Sequence, residues 1–85
     1  MRTILISGAN RGIGRSIALK ALKDGHRLSL GLRNLESVKG TDLDPRVSGS
    51  NRILLNHYEA NYPQKAQDWI NATLDHFQQF DSVIN

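Results

Sequence analysis

The chain has 85 residues, of which 39% are hydrophobic and 22% charged, and its formal net charge is +3. This composition indicates one small globular unit and disfavours a membrane span or the dense basic surface of a nucleic-acid-binding protein. The absence of cysteine excludes disulfides, thiolate metal sites and cysteine nucleophiles. Without a signal-peptide core, we expect a cytoplasmic protein that has neither a membrane nor a nucleic acid as partner.

Strands and helices are predicted to alternate along the first half of the chain. Thr3–Ser7 is a short apolar run, typical of a strand buried in a parallel sheet. A helix follows from Ile13, because the next apolar positions have helical spacing, and Gly25 stands where a helix ends. Residues 26–32 are predicted to form the second strand.

The alternation continues in the second half of the chain. Leu35–Val38 is predicted to form a short helical turn in a segment, residues 34–52, that otherwise has the composition of a loop. Residues 53–58 and 82–85 are predicted to form the third and fourth strands. Between them, a proline-initiated helix is expected over residues 63–79. Its predicted apolar stripe consists of Ala66, Trp69, Ile70, Leu74 and Phe77.

This order of elements predicts an α/β fold built from right-handed crossovers. We expect a Rossmann-type, doubly wound parallel sheet with only its first four strands present, in the order 3-2-1-4. The fourth strand would then be an unprotected edge, and the helix over residues 63–79 would leave much of its sheet face exposed. Residues 1–85 are therefore expected to be the N-terminal part of a single dinucleotide-binding domain, with the catalytic half elsewhere in a longer chain.

Glycines are concentrated in ILISGANRGIG, residues 4–14, where the first strand turns into the first helix. Ligands of such sheets bind at this turn. Gly8 would allow a sharp turn, Gly12 would leave room for a phosphate, and Gly14 would let the helix lie close to the sheet. The helix N-terminus would attract a pyrophosphate. The spacing G-x-x-x-G-x-G, with no lysine after it, is not that of a P-loop, and its position favours a nucleotide site over a merely flexible connection.

The segment SGANRGIG resembles the cofactor signature T-G-x-x-x-G-[IL]-G of the short-chain dehydrogenases and reductases, with Ser7 in place of the threonine. LSLGLRN, YEANYP and FDSVIN are similar to later segments of that family, in the same order and spacing. The resemblance implies an oxidoreductase that transfers hydride between nicotinamide and a small carbonyl or alcohol substrate, and that is a homo-oligomer. The alternative is a non-catalytic NADP-binding structural or sensing module.

Charge at the end of the second strand favours NADP(H) over NAD(H). NAD enzymes of this architecture have a carboxylate there, about 20 residues beyond the glycines, to bind the ribose hydroxyls. This chain has Leu32 at that position, followed by Arg33, and Arg11 lies inside the glycine loop. Two guanidinium groups can bind a 2′-phosphate through paired donors. The alternative interpretation is that both arginines are ordinary solvent-exposed charges.

The family resemblance implies further cofactor contacts. The main-chain N–H of Ile13 would face the pyrophosphate, Asn10 would shape the loop, and Asn85 would lie near the adenosine ribose. Glu59, which replaces the usual aspartate, would bind adenine together with Ala60. The whole predicted cofactor site is Gly8, Asn10, Arg11, Gly12, Ile13, Gly14, Arg33, Asn34, Glu59, Ala60 and Asn85. Of these, Asn34 is predicted to be either a phosphate ligand or a helix cap.

No catalytic or metal-binding residue is predicted within this chain. The family's proton transfer uses a Tyr-x-x-x-Lys motif with an upstream serine, and the sequence has no such motif. Tyr62 and Lys65 are three residues apart, near the expected adenine end, and we interpret them as structural. The three histidines, His26, His57 and His76, lack the spacing of metal ligands.

Overall fold

The structure, a computed structural model, describes residues 1–49 and 51–84, and of Ser48 only the backbone. Secondary-structure elements follow one another as the sequence predicts, with one helix that was not predicted. In chain order they are β1 (Thr3–Ser7), α1 (Gly12–Lys23), β2 (Arg27–Leu32), a 3₁₀ helix (Leu35–Val38), α2 (Pro45–Ser48), β3 (Ile53–His57), α3 (Pro63–Phe77) and β4 (Ser82–Ile84).

The strands form one parallel sheet in the order β3-β2-β1-β4, which confirms the predicted fold class. Ile4 of β1 is level with Leu28 of β2 on one side and with Ser82 of β4 on the other, and Leu28 is level with Ile53 of β3. All four strands therefore end at the same edge of the sheet. Loops that leave this edge are the ones that form ligand sites in such folds.

One face of the sheet is covered by α1 together with the segment between β2 and β3. Alternate residues of β1 and β2 point to this face and form the main hydrophobic cluster with side chains from the covering elements. Its fully buried members include Ile6, Leu28, Leu30, Ala18 and Leu43. Each large aliphatic side chain that is fully buried contributes about 1.5–3 kcal/mol, so this cluster stabilises the first two strands and α1 as a unit.

The opposite face of the sheet is covered by α3 through Trp69, Thr73 and Phe77, which are four residues apart and all buried. The predicted apolar stripe was wrong at Leu74, which is 40% exposed. The burial of Thr73 instead of Leu74 is related to β2, since the hydroxyl of Ser29 in this strand points to the helix. The Thr73 and Ser29 hydroxyls lie 2.7 Å apart, and the Trp69 indole N–H donates to Ser29 Oγ at 2.9 Å. Because Ser29 is polar, the helix residue that packs against it is the hydrogen-bonding Thr73 and not the apolar Leu74.

The end of α3 and the edge strand differ slightly from expectation. The helix ends at Phe77 rather than at residue 79, because Gln78 adopts a left-handed conformation and its N–H donates to the carbonyl of Leu74. Strand β4 is an edge, as predicted, and its Val83 is 46% exposed. Asn85, predicted to end this strand, lies outside the described residues.

The segment between β2 and β3 is more ordered than the loop that was predicted. The helical turn Leu35–Val38 is confirmed, but α2 was missed. The sequence did contain its start signal, since Asp44 caps the helix and Pro45 occupies its first turn. A helix of only four residues gives no hydrophobic periodicity, which is why the pattern did not reveal it.

The Asp44 carboxylate organises this segment. It is buried and accepts hydrogen bonds from the main-chain N–H of Gly40 at 3.0 Å and of Arg46 at 2.9 Å, and from Nε of Arg46 at 2.9 Å. The Arg46 side chain, followed by the Gly40 N–H, lowers the pKa of Asp44 from its ordinary 3.8 to about 2. Because the folded-state pKa is the lower one, this carboxylate stabilises the fold above pH 3.8 and the contribution disappears as the pH falls through about 2.

We predict that Asp44→Asn lowers the melting temperature of the full chain at pH 7 and that the difference shrinks between pH 4 and pH 2, because asparagine resembles the protonated acid. The measurement is a series of thermal melts, followed by circular dichroism, across that pH range. Asp42→Asn is the matched control, since Asp42 is exposed and should show little difference at any pH. A difference for Asp44→Asn that stays constant down to pH 2 would contradict the assignment.

Candidate functional site

The glycine loop, residues 8–14, connects the end of β1 to the start of α1. Gly8 and Gly12 have φ values of +69° and +63°, a backbone conformation that residues with a side chain rarely adopt. The chain therefore turns sharply at both positions. Arg11 makes no side-chain capping hydrogen bond, and the first turn of α1 contains no acidic residue. The positive end of the helix dipole thus lacks a carboxylate of its own, which favours an external anion there.

Gly14 brings the backbone of α1 against the end of β1. A Cβ atom at Gly14 would lie 2.9 Å from the carbonyl carbon of Gly8 and 3.3 Å from the carbonyl oxygen of Ser7. Both neighbours are backbone atoms and cannot rotate away. The absence of a side chain at Gly14 therefore sets where the helix begins relative to the strand.

A cleft of about 800 Å³ opens at the carboxyl ends of β1, β2 and β3. Its walls are the glycine loop, the turn after β2 and the turn after β3. Of the predicted cofactor residues, it brings together Gly8, Asn10, Arg11, Arg33, Asn34, Glu59 and Ala60. Residues that are 50 positions apart in sequence thus line one cavity, because parallel strands all end at the same edge.

Arg11 and Arg33 reach this cleft from two different loops, and both are exposed. Within residues 1–49 and 51–84, neither guanidinium group has a hydrogen-bond or ion-pair partner. Glu59 is the only acidic residue among the described residues that line the cleft. The cleft therefore has two unpaired cations and one carboxylate, an arrangement that attracts an anionic ligand.

Asn34 and Glu59 each make a contact of their own inside the protein. The Asn34 side-chain oxygen accepts the main-chain N–H of Glu36 at 2.9 Å and caps the 3₁₀ helix. A Glu59 carboxylate oxygen lies 3.2 Å from Nε2 of His57, in an exposed contact. Asn34 therefore has the capping role that the sequence offered as one of two interpretations, and its contact with phosphate stays a prediction.

The remaining predicted cofactor residues do not line the cleft itself. Gly12, Ile13 and Gly14 form the first turn of α1, and the side chain of Ile13 is 80% exposed. Whatever Ile13 contributes to a cofactor would come from its main chain, as the family pattern implies. Asn85 lies outside the described residues, so its predicted ribose contact stays untested.

Five of the described residues that line the cleft are not among the predicted cofactor residues, namely Ser7, Gly31, Leu32, Ser37 and Tyr58. Ser37 lies in the 3₁₀ helix, Tyr58 follows β3, and Gly31 lies near the end of β2. Ser37 belongs to no motif, and Tyr58 is predicted only as the end of the third strand and as part of the segment YEANYP that resembles the family. A signal was available for Gly31, because a glycine inside a strand indicates close approach of another group to the backbone.

Over the part of the chain that the structure describes, no helix is long and apolar enough to cross a membrane. The same residues contain no group of three or more histidine and acidic side chains that could hold a metal ion.

Curated proteins that are similar to this chain include reductases and dehydrogenases. An agropine synthesis reductase from Rhizobium rhizogenes is 33% identical over 85 residues, which is 96% of this chain and 18% of that protein. An 11-beta-hydroxysteroid dehydrogenase B from Sesamum indicum is 27% identical over 84 residues, which is 99% of this chain and 23% of that protein. The chain thus spans about a fifth of the length of these relatives. No family model matches it.

Solved structures share the fold over nearly the whole chain. A short-chain dehydrogenase from Streptomyces avermitilis superposes with a TM-score of 0.82 at 20% identity, over 98% of this chain and 30% of that one. A 3-ketoacyl-(acyl-carrier-protein) reductase from Brucella melitensis, complexed with NADH, gives a TM-score of 0.79 at 21% identity, over 96% of this chain and 32% of that one. The strand order, the glycine motif and the curated relatives agree. All three resemble the N-terminal part of a short-chain dehydrogenase or reductase.

The close approach of the backbone at Gly14 can be tested by substitution. We predict that Gly14→Ala destabilises the full chain by about 1–3 kcal/mol, because the new methyl group would overlap the backbone of Gly8 and force α1 away from β1. The measurement is urea unfolding at equilibrium. Ser16→Ala, at an exposed position of the same helix, is the control and should change stability by less than about 0.5 kcal/mol. Equal stability of Gly14→Ala and the parent would contradict the close approach.

Proposed function

We propose that this chain forms the adenosine-binding part of an NADP(H)-dependent oxidoreductase, which transfers hydride between nicotinamide and a carbonyl or alcohol substrate. The observation on which this rests is the pair of unpaired guanidinium groups, Arg11 and Arg33, in the same cleft as the glycine loop. The resemblance to short-chain dehydrogenases and reductases, one of which is complexed with NADH, supports a nicotinamide dinucleotide as the ligand. Relatives that are named as reductases and dehydrogenases favour an enzyme over a non-catalytic binding module.

Residues of the chain fit the parts of such a cofactor. The first turn of α1 would bind the pyrophosphate through main-chain N–H groups, since the turn has no capping side chain. Arg11 and Arg33 would bind a 2′-phosphate, and Glu59 and Ala60 would contact adenine. When bound, the dinucleotide supplies the hydride acceptor or donor of the reaction.

NADP(H) is proposed over NAD(H) because of the charges that surround the expected ribose position. Leu32 ends β2 and cannot accept hydrogen bonds from ribose hydroxyls through its side chain, whereas Arg33 directly after it is a phosphate donor. An acidic residue at this point would have indicated NAD. The excess of positive charge in the cleft is consistent with the 2′-phosphate that NADP(H) has and NAD(H) lacks.

Other expectations drawn from the sequence stay predictions. These are the homo-oligomeric state, the cytoplasmic location, and the interpretation of residues 1–85 as part of a longer domain with its catalytic residues elsewhere. The proposed chemistry requires the last of these, because the chain itself lacks a Tyr-x-x-x-Lys motif.

We predict that Arg33→Ala weakens NADPH binding by about 10- to 100-fold, because a charge-assisted bond to phosphate contributes roughly 1.5–3 kcal/mol. NADH binding should change by less than about threefold. Both dissociation constants can be measured on the full chain by isothermal titration calorimetry. Arg2→Ala is the control, since Arg2 is exposed and lies outside the cleft. Equal losses for the two cofactors would remove the 2′-phosphate role of Arg33.

A further inference from the structure

Tyr58 is the only aromatic side chain among the described residues that line the cleft. Its backbone is fixed, because its N–H donates to the carbonyl of Leu32 at 2.9 Å and so extends the β2–β3 pairing by one residue. Glu59 and Ala60, the proposed adenine contacts, follow it directly in sequence and line the same cavity. Tyr58 therefore stands beside the position proposed for the purine.

The ring of Tyr58 packs against the indole ring of Trp69. The two ring centroids lie 4.8 Å apart with an interplanar angle of 37°. Trp69 is only 3% exposed, and its indole N–H donates to the buried hydroxyl of Ser29 at 2.9 Å. Because the indole is held both by packing and by this hydrogen bond, it gives the tyrosine ring a rigid support.

Gly31 makes this arrangement possible. A Cβ atom at Gly31 would lie 3.0 Å from Cη2 and Cζ2 of Trp69 and 3.0 Å from Cβ of Tyr58. Both aromatic residues can approach β2 only because the strand has no side chain there. Gly31 also lines the cleft, so its bare backbone and Tyr58 form adjacent parts of one wall.

Apart from the small methyl group of Ala60, the other side chains that surround this part of the cleft offer a purine ring little apolar surface. Arg33, Asn34 and Glu59 are polar, and Leu32 is almost completely buried. A purine has two flat faces that are stabilised by stacking on aromatic side chains. Tyr58 is the group in this wall that offers such a surface.

We propose that the adenine ring of the dinucleotide packs against the side chain of Tyr58 and that Trp69 and Gly31 act as positioning residues for that ring. The inference rests on the proposed function, since it requires a dinucleotide in this cleft. It adds a determinant of adenine recognition that belongs to this chain's own sequence and is separate from the arginines that would bind the phosphate.

The test compares binding of 2′,5′-ADP, which has the adenine and the 2′-phosphate but no nicotinamide, to variants of the full chain. Tyr58→Leu should weaken binding by about tenfold, or about 1.4 kcal/mol, because it keeps the bulk against Trp69 and removes the aromatic face. Tyr58→Phe should bind within about twofold of the parent. Tyr62→Leu is the matched control, since that tyrosine is 56% exposed and lies outside the cleft wall.

A second measurement follows Trp69 itself. Its emission is obtained as the difference between the parent and Trp69→Phe. This emission should change when 2′,5′-ADP saturates the parent, because the ligand would contact the tyrosine ring that packs against Trp69. Tyr58→Leu also requires a melting curve that is close to the parent's. If that curve shows unfolding, Tyr58→Met provides the same comparison with a more flexible side chain.

Three results are possible and each is decisive. Tenfold weaker binding by Tyr58→Leu, with Tyr58→Phe and Tyr62→Leu unchanged, supports the proposal. Binding of 2′,5′-ADP that is equal in the parent and in Tyr58→Leu overturns the role of Tyr58 and leaves the proposed function intact. Failure of the parent to bind 2′,5′-ADP or NADPH at all overturns the proposed function, and the adenine contact with it.

Discussion

The close contact between the backbone of Gly14 and the carbonyl groups of Ser7 and Gly8 determines the geometry of the site. It requires a residue without a Cβ atom, and it places the first turn of α1 directly beyond the end of β1. The left-handed turns at Gly8 and Gly12 follow from the same constraint, since the chain must leave the strand and reverse within four residues. The contact thus fixes where the helix N-terminus lies relative to the end of the strand.

The cleft exists because the sheet is parallel. In an antiparallel sheet the turns after β1, β2 and β3 would not lie together, whereas here they place Arg11, Arg33 and Glu59 around one cavity.

The two faces of the sheet are held differently. On one face aliphatic side chains pack beneath α1, and on the other a buried network of Ser29, Trp69 and Thr73 attaches α3 to β2. That network also fixes the aromatic wall of the site.

Much of this arrangement could be predicted from the sequence. The order of the strands and the place of the glycine loop followed from short-range patterns, because turn glycines and buried strands have strong local signals. Residues whose role depends on a distant partner could not be found in this way. Thr73 is buried in place of Leu74 because of a hydroxyl 44 positions earlier, and Tyr58 belongs to the cleft through contacts with Trp69 and Gly31. The four-residue α2 was too short to show a period.

The function that we propose requires this cleft to bind the phosphorylated adenosine end of NADP(H). A crystal structure of the full chain with NADP⁺ tests it most directly. We expect a 2′-phosphate between the guanidinium groups of Arg11 and Arg33, a pyrophosphate at the first turn of α1, and adenine beside Tyr58 and Glu59. A cofactor bound elsewhere, or one whose 2′-phosphate points away from both arginines, would contradict it.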